Sequence, residues 1–150
     1  MSFEDFYRLE FARVYRAAWL LARNDHDALE AAQEAFARAF ARWRRLRNEE
    51  WVAGWVITTA LNFLRRRRKA EPPVSSRDRV VSEPSAAAVD LQRALRRLPA
   101  RQREALVLFY VGDLPVHKVA NLMGIGDGTV KAHLSRGRVA LREEMEVRHV

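Results

Sequence analysis

The sequence predicts an all-α protein made of two small helical domains that are joined by a flexible linker. Apolar residues recur at steps of three and four along most of the 150 residues, and the alternation typical of strands is nearly absent. A stretch rich in proline and serine, Glu71–Ala88, interrupts this pattern. We therefore predict domains at 1–69 and 89–150 and a linker at 70–88, with each domain too small for a large core.

The charge of the chain favours a polyanionic partner. Lys and Arg number 27 against 19 Asp and Glu, which gives a net charge of +8. Residues 1–41 sum to −2, 42–69 to +7, 70–90 to −2 and 91–150 to +5, so the basic residues fall in two blocks. Nucleic acid is the usual partner of such a chain, and a solvated basic surface is the alternative.

Composition also excludes several kinds of site. The chain has no cysteine, which excludes disulfides, thiolate metal sites and a cysteine nucleophile. Its four histidines are scattered without metal-ligand spacing, so we expect no catalytic residue, metal or cofactor. The first ten residues, MSFEDFYRLE, lack the features of a secretory signal, and no apolar run approaches the ~20 residues of a membrane span, so a cytoplasmic protein is expected.

Three helices are predicted in the N-terminal domain, at Phe3–Arg23, Asp27–Leu46 and Glu50–Lys69. Asn24 follows the first helix and can end it. Asp27 and Glu30 have the spacing of a capping box at the start of the second helix, which is rich in alanine. Four helices are predicted in the C-terminal domain, where Gly112 and Gly124 mark two of the helix ends. The four predicted helices of the C-terminal domain are Val89–Leu98, Pro99–Val111, Pro115–Met123 and a last helix from about Asp127 to about Met145.

The sequence GIGDGTVKAHLSRGRVAL, residues 124–141, fits either a phosphate-binding loop or the turn and second helix of a helix-turn-helix. A Walker loop requires Gly-Lys-Ser/Thr, whereas Lys131 follows Thr129 and Val130. A dinucleotide fingerprint requires a preceding strand, whereas PVHKVANLMG has a helical pattern. A short helix, a tight turn with glycine and a second helix constitute a helix-turn-helix, so the C-terminal domain is predicted to contain one.

The two faces of the last helix support this interpretation. Val130, Leu134, Gly137 and Leu141 recur at steps of four and three and are predicted to face the core. The opposite face is small and hydrogen-bonding at its N-terminal end, where a recognition helix meets base edges in the major groove. Arg136 is the best candidate for bidentate contact with guanine. The alternative is that its cations form an ordinary solvated face. The predicted base-facing residues are Gly128, Lys131, Ala132, Ser135 and Arg136, and Thr129, His133 and Arg138 are predicted to contact phosphates.

The second basic block is LNFLRRRRKAEPP, in which Arg65–Lys69 are five consecutive cations at a predicted helix end. Such a run is often a solvated cap, because cations stabilise a helix C-terminus. Trp43–Arg47 (WRRLR), at the end of the second predicted helix, adds basic residues. Trp51 and Trp55 begin the third predicted helix, which ends in the basic run. Tryptophans beside cations suit single-stranded nucleic acid, because bases stack on the rings. The alternative is that both tryptophans belong to the core, and this alternative is favoured for Trp55.

Three segments resemble the extracytoplasmic-function class of bacterial sigma factors. They are DALEAAQEAFARAFARWRRL, WVITTALNFLRRRR and LPARQREALVLFYVGDLPVHKVANLMGIGDGTVKAHLSRGRVALREEM, and their order along the chain is that of the family. The resemblance implies a non-catalytic initiation subunit. Its N-terminal domain binds the clamp of core RNA polymerase and melts and reads the −10 promoter element, and its C-terminal domain reads the −35 element. The resemblance also implies contact with the flap of core RNA polymerase, and an anti-sigma factor is a common partner in this family.

By position, the resemblance implies three groups of functional residues. The residues that match the polymerase-facing stretch are Glu30, Gln33 and Glu34. The residues that match the −10 contacts are Asn62, Arg65, Arg66 and Arg68. The residues that match the −35 reading positions are Lys131, Ala132, Ser135 and Arg136. The chain departs from the family at three positions. An acidic residue is usual where Leu29 and Lys118 stand, and a serine cap is usual where Gly126 stands.

Two other functions remain possible on the sequence alone. A helix-turn-helix regulator would bind an operator without being a polymerase subunit, as a dimer on two half-sites. The basic, tryptophan-bearing helix argues against this, because a sensory domain would carry a ligand pocket there. An enzyme is the second alternative, and the scattered histidines argue against it.

Overall fold

The structure, a computed structural model, describes residues 1–70 and 83–148, and it describes their side chains except those of 68–70 and 148. No strand occurs within these two ranges, and the all-α prediction is confirmed. The chain divides into two units, Met1–Val80 and Val81–Val150. Residues 71–82 of the predicted linker lie outside the described residues. Its last three residues, 86–88, are already helical.

Residues 1–70 of the first unit form four helices: α1 (Phe3–Leu21), α2 (Asp25–Ala41), the short α3 (Trp43–Leu46) and α4 (Val52–Ala70). The long helices α1, α2 and α4 pack against one another. The small side chains of α2 allow this close packing, since its alanines at 28, 31, 32, 35 and 39 are fully buried. On α4, Val56, Ile57 and Ala60 are equally inaccessible, so this helix is fixed along one face.

The structure corrects the predicted cap and length of α2. Asn24, not Asp27, caps the helix, because its Oδ1 accepts a hydrogen bond of 2.8 Å from the backbone N–H of Asp27. The connection from α1 is closed by a 2.8 Å hydrogen bond from the Trp19 indole to Asp25 Oδ1. The predicted single helix to Leu46 is interrupted at Arg42, where the chain turns so that the ring of Trp43 packs 4.9 Å from that of Phe6.

The second unit contains α5 (Ala86–Arg96), α6 (Ala100–Leu106), α7 (Val116–Met123) and α8 (Asp127–Arg148). A π-helical turn, Val107–Val111, continues α6, so the predicted helix Pro99–Val111 is regular only in its first half. The helix α8 packs against α5, α6 and α7. It is therefore held on its inner face by all the other helices of its unit.

Candidate nucleic-acid interface

The turn between α7 and α8 has a geometry that depends on glycine. Gly124 adopts φ +70°, the left-handed region that an L side chain rarely enters. The N–H of Ile125 donates to the carbonyl of Ala120 at 3.0 Å, and that of Gly124 to Asn121 at 3.3 Å. These two bonds form a Schellman motif, which ends α7 and lets α8 begin at Asp127 after three residues. The predicted helix-turn-helix is confirmed.

The two faces of α8 differ in burial as predicted. Val130 and Leu134 are 0% and 3% exposed, and Gly137 is also buried. A Cβ atom on Gly137 would lie 3.0 Å from Leu106 Cδ1, so the absence of a side chain allows α8 to approach α6. Leu141, the fourth predicted core residue, is only partly covered. The inner face of α8 is thus fixed by close packing along its first three turns.

The outer face of α8 presents the predicted DNA-contacting groups to solvent. The exposed residues are Gly128, Thr129, Lys131, Ser135, Arg136 and Arg138, and the half-buried ones are Ala132 and His133. In the two described ranges, no carboxylate lies within 4 Å of the charged groups of Lys131 or Arg136. Their positive charge is therefore not neutralised by the protein and is available to an external polyanion.

Two side chains that the sequence did not single out support this helix-turn-helix. Arg101 on α6 donates a 2.7 Å hydrogen bond from Nη2 to the carbonyl of Met123, the last residue of α7, and a 3.1 Å bond to Glu104. Tyr110, on the π-helical turn, accepts a 3.2 Å bond from Arg138. Both lie in the segment LPARQREALVLFY, where their helical pattern alone indicates no more than an ordinary helix surface.

Positive charge in the second unit is not confined to α8. Burial lowers the pKa of Arg96 below its ordinary value, and the charges of Arg93 and Arg103 lower it further. Burial also lowers the pKa of Arg103, against the opposing effect of Glu104. The repulsion felt by Arg96 indicates that Arg93 of α5 and Arg103 in the last turn of α6 lie near it.

In the first unit, the basic end of α4 is divided between two directions. Arg65 and Arg66 are exposed, and Asn62, one turn earlier, accepts a 3.3 Å hydrogen bond from Arg65. Arg67 instead pairs with Glu30 of α2, with 2.7 Å between Nη1 and Oε1. The side chain of Arg68, the fourth predicted −10 contact, lies outside the described residues.

The tryptophans near the start of α4, Trp51 and Trp55, are both half-buried. This burial matches neither a free stacking platform nor a full core position.

The predicted polymerase-facing residues lie on α2, and two of them are engaged within the unit. Glu30 pairs with Arg67, and its other oxygen lies 3.5 Å from His26 Nε2. Glu34 pairs with Arg38 at 3.1 Å, one turn along the helix. Gln33 is exposed. The acidic character of this surface is therefore weaker than the sequence implies.

Comparisons with known proteins identify the family. The family described as Sigma-70, region 4 matches residues 88–141. The sigma factor SigV of Bacillus subtilis (strain 168) is 30% identical over 149 residues, which are 95% of this chain and 85% of SigV. The ECF sigma factor SigM of Mycobacterium tuberculosis is 32% identical over 93% of this chain and 75% of SigM. The chain belongs to the extracytoplasmic-function sigma factors of bacterial RNA polymerase.

Solved structures confirm the fold of this sigma factor. The sigma factor RpoE of Bartonella quintana, solved with the anti-sigma factor NepR, has a TM-score of 0.80 at 24% identity and covers 97% of both chains. CnrH, solved with the cytosolic domain of CnrY, has a TM-score of 0.69 at 20% identity, over 97% of this chain and 88% of CnrH. Membership of this family means that the chain directs promoter-specific initiation by RNA polymerase, and an operator-binding regulator is not favoured.

The described residues of this sigma factor lack two further features. Over residues 1–70 and 83–148, no helix is long and apolar enough to cross a membrane. Over the same residues, no group of three metal-ligating His, Asp or Glu side chains is found.

Proposed function

We propose that this sigma factor holds a promoter with two separate surfaces, the outer face of α8 on the −35 duplex and the end of α4 on the −10 strand. One observation carries the proposal. Successive turns of α8 bury Val130 and Leu134 while exposing Lys131 and Arg136. A helix fixed on one side with uncompensated donors on the other is suited to enter a major groove.

The residues on α8 divide into base-reading and phosphate-binding groups. Arg136 presents a fork of N–H donors that matches the acceptors of guanine, and Lys131 reaches guanine or a phosphate. The small Ala132 and Ser135 between them permit close approach to base edges. Thr129, His133 and Arg138 flank this surface and bind phosphates, which fix the position of the helix without specifying sequence. The hydroxyl of Tyr110 holds the guanidinium of Arg138 in place.

At the end of α4, the proposed contacts are Asn62, Arg65, Arg66 and Arg68. Asn62, Arg65 and Arg66 are separated by steps of three and one, which places them on the same side of a helix. The Asn62–Arg65 hydrogen bond keeps an amide and a guanidinium adjacent. Such a pair binds an unwound strand through its phosphates and its exposed base edges.

Core RNA polymerase is the proposed partner of α2 through Glu30, Gln33 and Glu34, and of the second unit through the flap. Because Glu34 is already paired with Arg38, contact with the clamp requires exchange of that pair for a cation of the polymerase. An anti-sigma factor is a further proposed partner, since the similar RpoE was solved with one. We propose that the protein acts in the cytoplasm and has no catalysis of its own.

The experiment that tests the proposal is transcription in vitro with core polymerase on promoters randomised at each −35 position. Arg136→Ala should cost about 1–3 kcal/mol and relax selection at one position. Arg142→Ala, an exposed arginine on the same helix, is the control and should leave the selected sequence unchanged. Selection that stays intact at every position in Arg136→Ala would contradict the assignment of the recognition face.

A further inference from the structure

We propose that Arg67 is a positioning residue, which anchors the end of α4 to α2 and thereby directs Arg65 and Arg66 toward promoter DNA. The inference rests on the proposed contact of α4 with the −10 strand. It separates one arginine of the run from the others, although the sequence RRRR gives all four the same chemistry. The resemblance to the family omits Arg67 from the −10 contacts without a physical reason, and the ion pairs of Arg67 supply one.

The first observation is the ion pairing of Arg67. Its Nη1 lies 2.7 Å from Glu30 Oε1 and its Nε lies 4.0 Å from Asp27 Oδ1. Both carboxylates belong to the first turns of α2, and Asp27 is itself buried and held by the cap at Asn24. The Arg67 guanidinium also lies 5.9 Å from the centre of the Phe63 ring. It is thus held by groups of two helices.

The second observation is the helical register. Arg67 lies three residues after Leu64 and seven after Ala60, and both of these residues are buried. Arg65 is two residues before Arg67, which places it on nearly the opposite side of a helix with 3.6 residues per turn. Arg66 is exposed as well. A single rotational setting of α4 therefore directs Arg67 inward and Arg65 and Arg66 outward.

The third consideration is the cost of releasing Arg67. Pairing with two carboxylates neutralises its charge and holds this turn of α4 against α2. For Arg67 to bind a phosphate instead, it would have to leave a part-buried ion pair, which is costly for the carboxylates that remain.

The test compares Arg67→Gln with the matched variant Arg66→Gln in the full chain bound to core polymerase. The rate of open-complex formation is measured against salt concentration, at a temperature where circular dichroism shows both variants fully folded. Arg66→Gln should reduce the salt slope by about 0.7, the value for one phosphate of a single strand. Arg67→Gln should lower the rate by the same factor at every salt concentration, and Arg67→Lys should restore part of it.

A second measurement tests the anchor without DNA. Arg67→Gln and Glu30→Gln should each lower the melting temperature of the free protein, and the double variant should lower it by less than their sum. Arg66→Gln should leave the melting temperature unchanged. Additive effects of the first two variants would overturn the anchor.

The outcomes separate this inference from the proposed function. A salt slope that falls in Arg67→Gln as much as in Arg66→Gln would make Arg67 a phosphate contact and overturn the positioning role. An unchanged rate in the folded Arg67→Gln variant would overturn it too. If Arg66→Gln leaves the slope unaltered, the proposed contact of α4 with DNA fails, whatever the result for Arg67.

Discussion

The two basic surfaces of this sigma factor use their positive charge in different ways. At the end of α4, the cations are consecutive, and one of them, Arg67, is neutralised by Glu30 and Asp27. On α8, Lys131 and Arg136 are spaced by five residues among small side chains, and no carboxylate of the described residues pairs with either. A count of charges makes α4 the more basic site. The structure shows that helical register and internal partners decide which of the described charges are neutralised within the protein.

The difference suggests distinct modes of recognition. A rigid helix with separated donors suits a duplex, whose base edges occupy fixed positions in the major groove. A dense run anchored at Arg67 suits an unwound strand, whose phosphates have no fixed spacing. Variants that change packing, then geometry, then charge, and finally a single hydrogen bond test this difference between α4 and α8.

The largest expected effect comes from the buried faces on which both surfaces depend. Leu64→Ala on α4 and Leu134→Ala on α8 each remove a side chain that is almost fully buried. Each should cost about 2–5 kcal/mol of unfolding free energy, measured by urea denaturation. Leu9→Ala is the control, because Leu9 is 65% exposed and its loss should change stability by less than about 0.5 kcal/mol. Equal losses at Leu9 and Leu134 would contradict the assigned faces.

The next effect tests the approach of α8 to α6. Gly137→Val introduces atoms where a Cβ already meets Leu106 at 3.0 Å, and overpacking should cost about 1–3 kcal/mol. The same substitution at Gly128, which has open space around it, controls for the change in helix propensity. Affinity for duplex DNA should fall in Gly137→Val because α8 is displaced. If Gly137→Val is as stable as the Gly128→Val control, the close packing of Gly137 against Leu106 does not hold α8 in place.

A smaller effect is expected from one cation of α8. Lys131→Ala should reduce the slope of log affinity against log salt for −35 duplex by about 0.9 if the ammonium binds a phosphate. Arg142→Ala should leave the slope unchanged and serves as the control. A changed base preference with an unaltered slope would instead assign Lys131 to guanine, which separates its two proposed roles.

The smallest effect concerns the hydrogen bond between Tyr110 and Arg138. Tyr110→Phe removes only the hydroxyl and should weaken duplex binding about twofold, equivalent to about 0.5 kcal/mol. The measurement is fluorescence anisotropy on a −35 duplex. The effect should disappear in an Arg138→Ala background, since the hydroxyl acts through that guanidinium. Persistence of the effect there would mean that Tyr110 contacts DNA directly.

The fold and the recognition helix were predictable because their signals are local. The steps of four and three from Val130 to Leu141 predict a helix with one buried face, and the structure places Val130, Leu134 and Gly137 on it. Gly124 predicted the turn, because only glycine adopts its left-handed backbone without strain. The cap of α2 was predicted wrongly, because Asn24 and Asp27 are both good caps by residue type and only the structure shows that Asn24 Oδ1 accepts the capping bond.

Sequence by itself determined the helical class, the helix-turn-helix and the two basic blocks, since each depends on residues that are neighbours along the chain. Tertiary structure alone decided which of these charges are internal. Arg67 and Glu30 are 37 residues apart, and Tyr110 and Arg138 are 28 apart. No periodicity encodes contacts between such distant positions, because they arise only when the buried faces of separate helices pack and fix the directions of the remaining side chains.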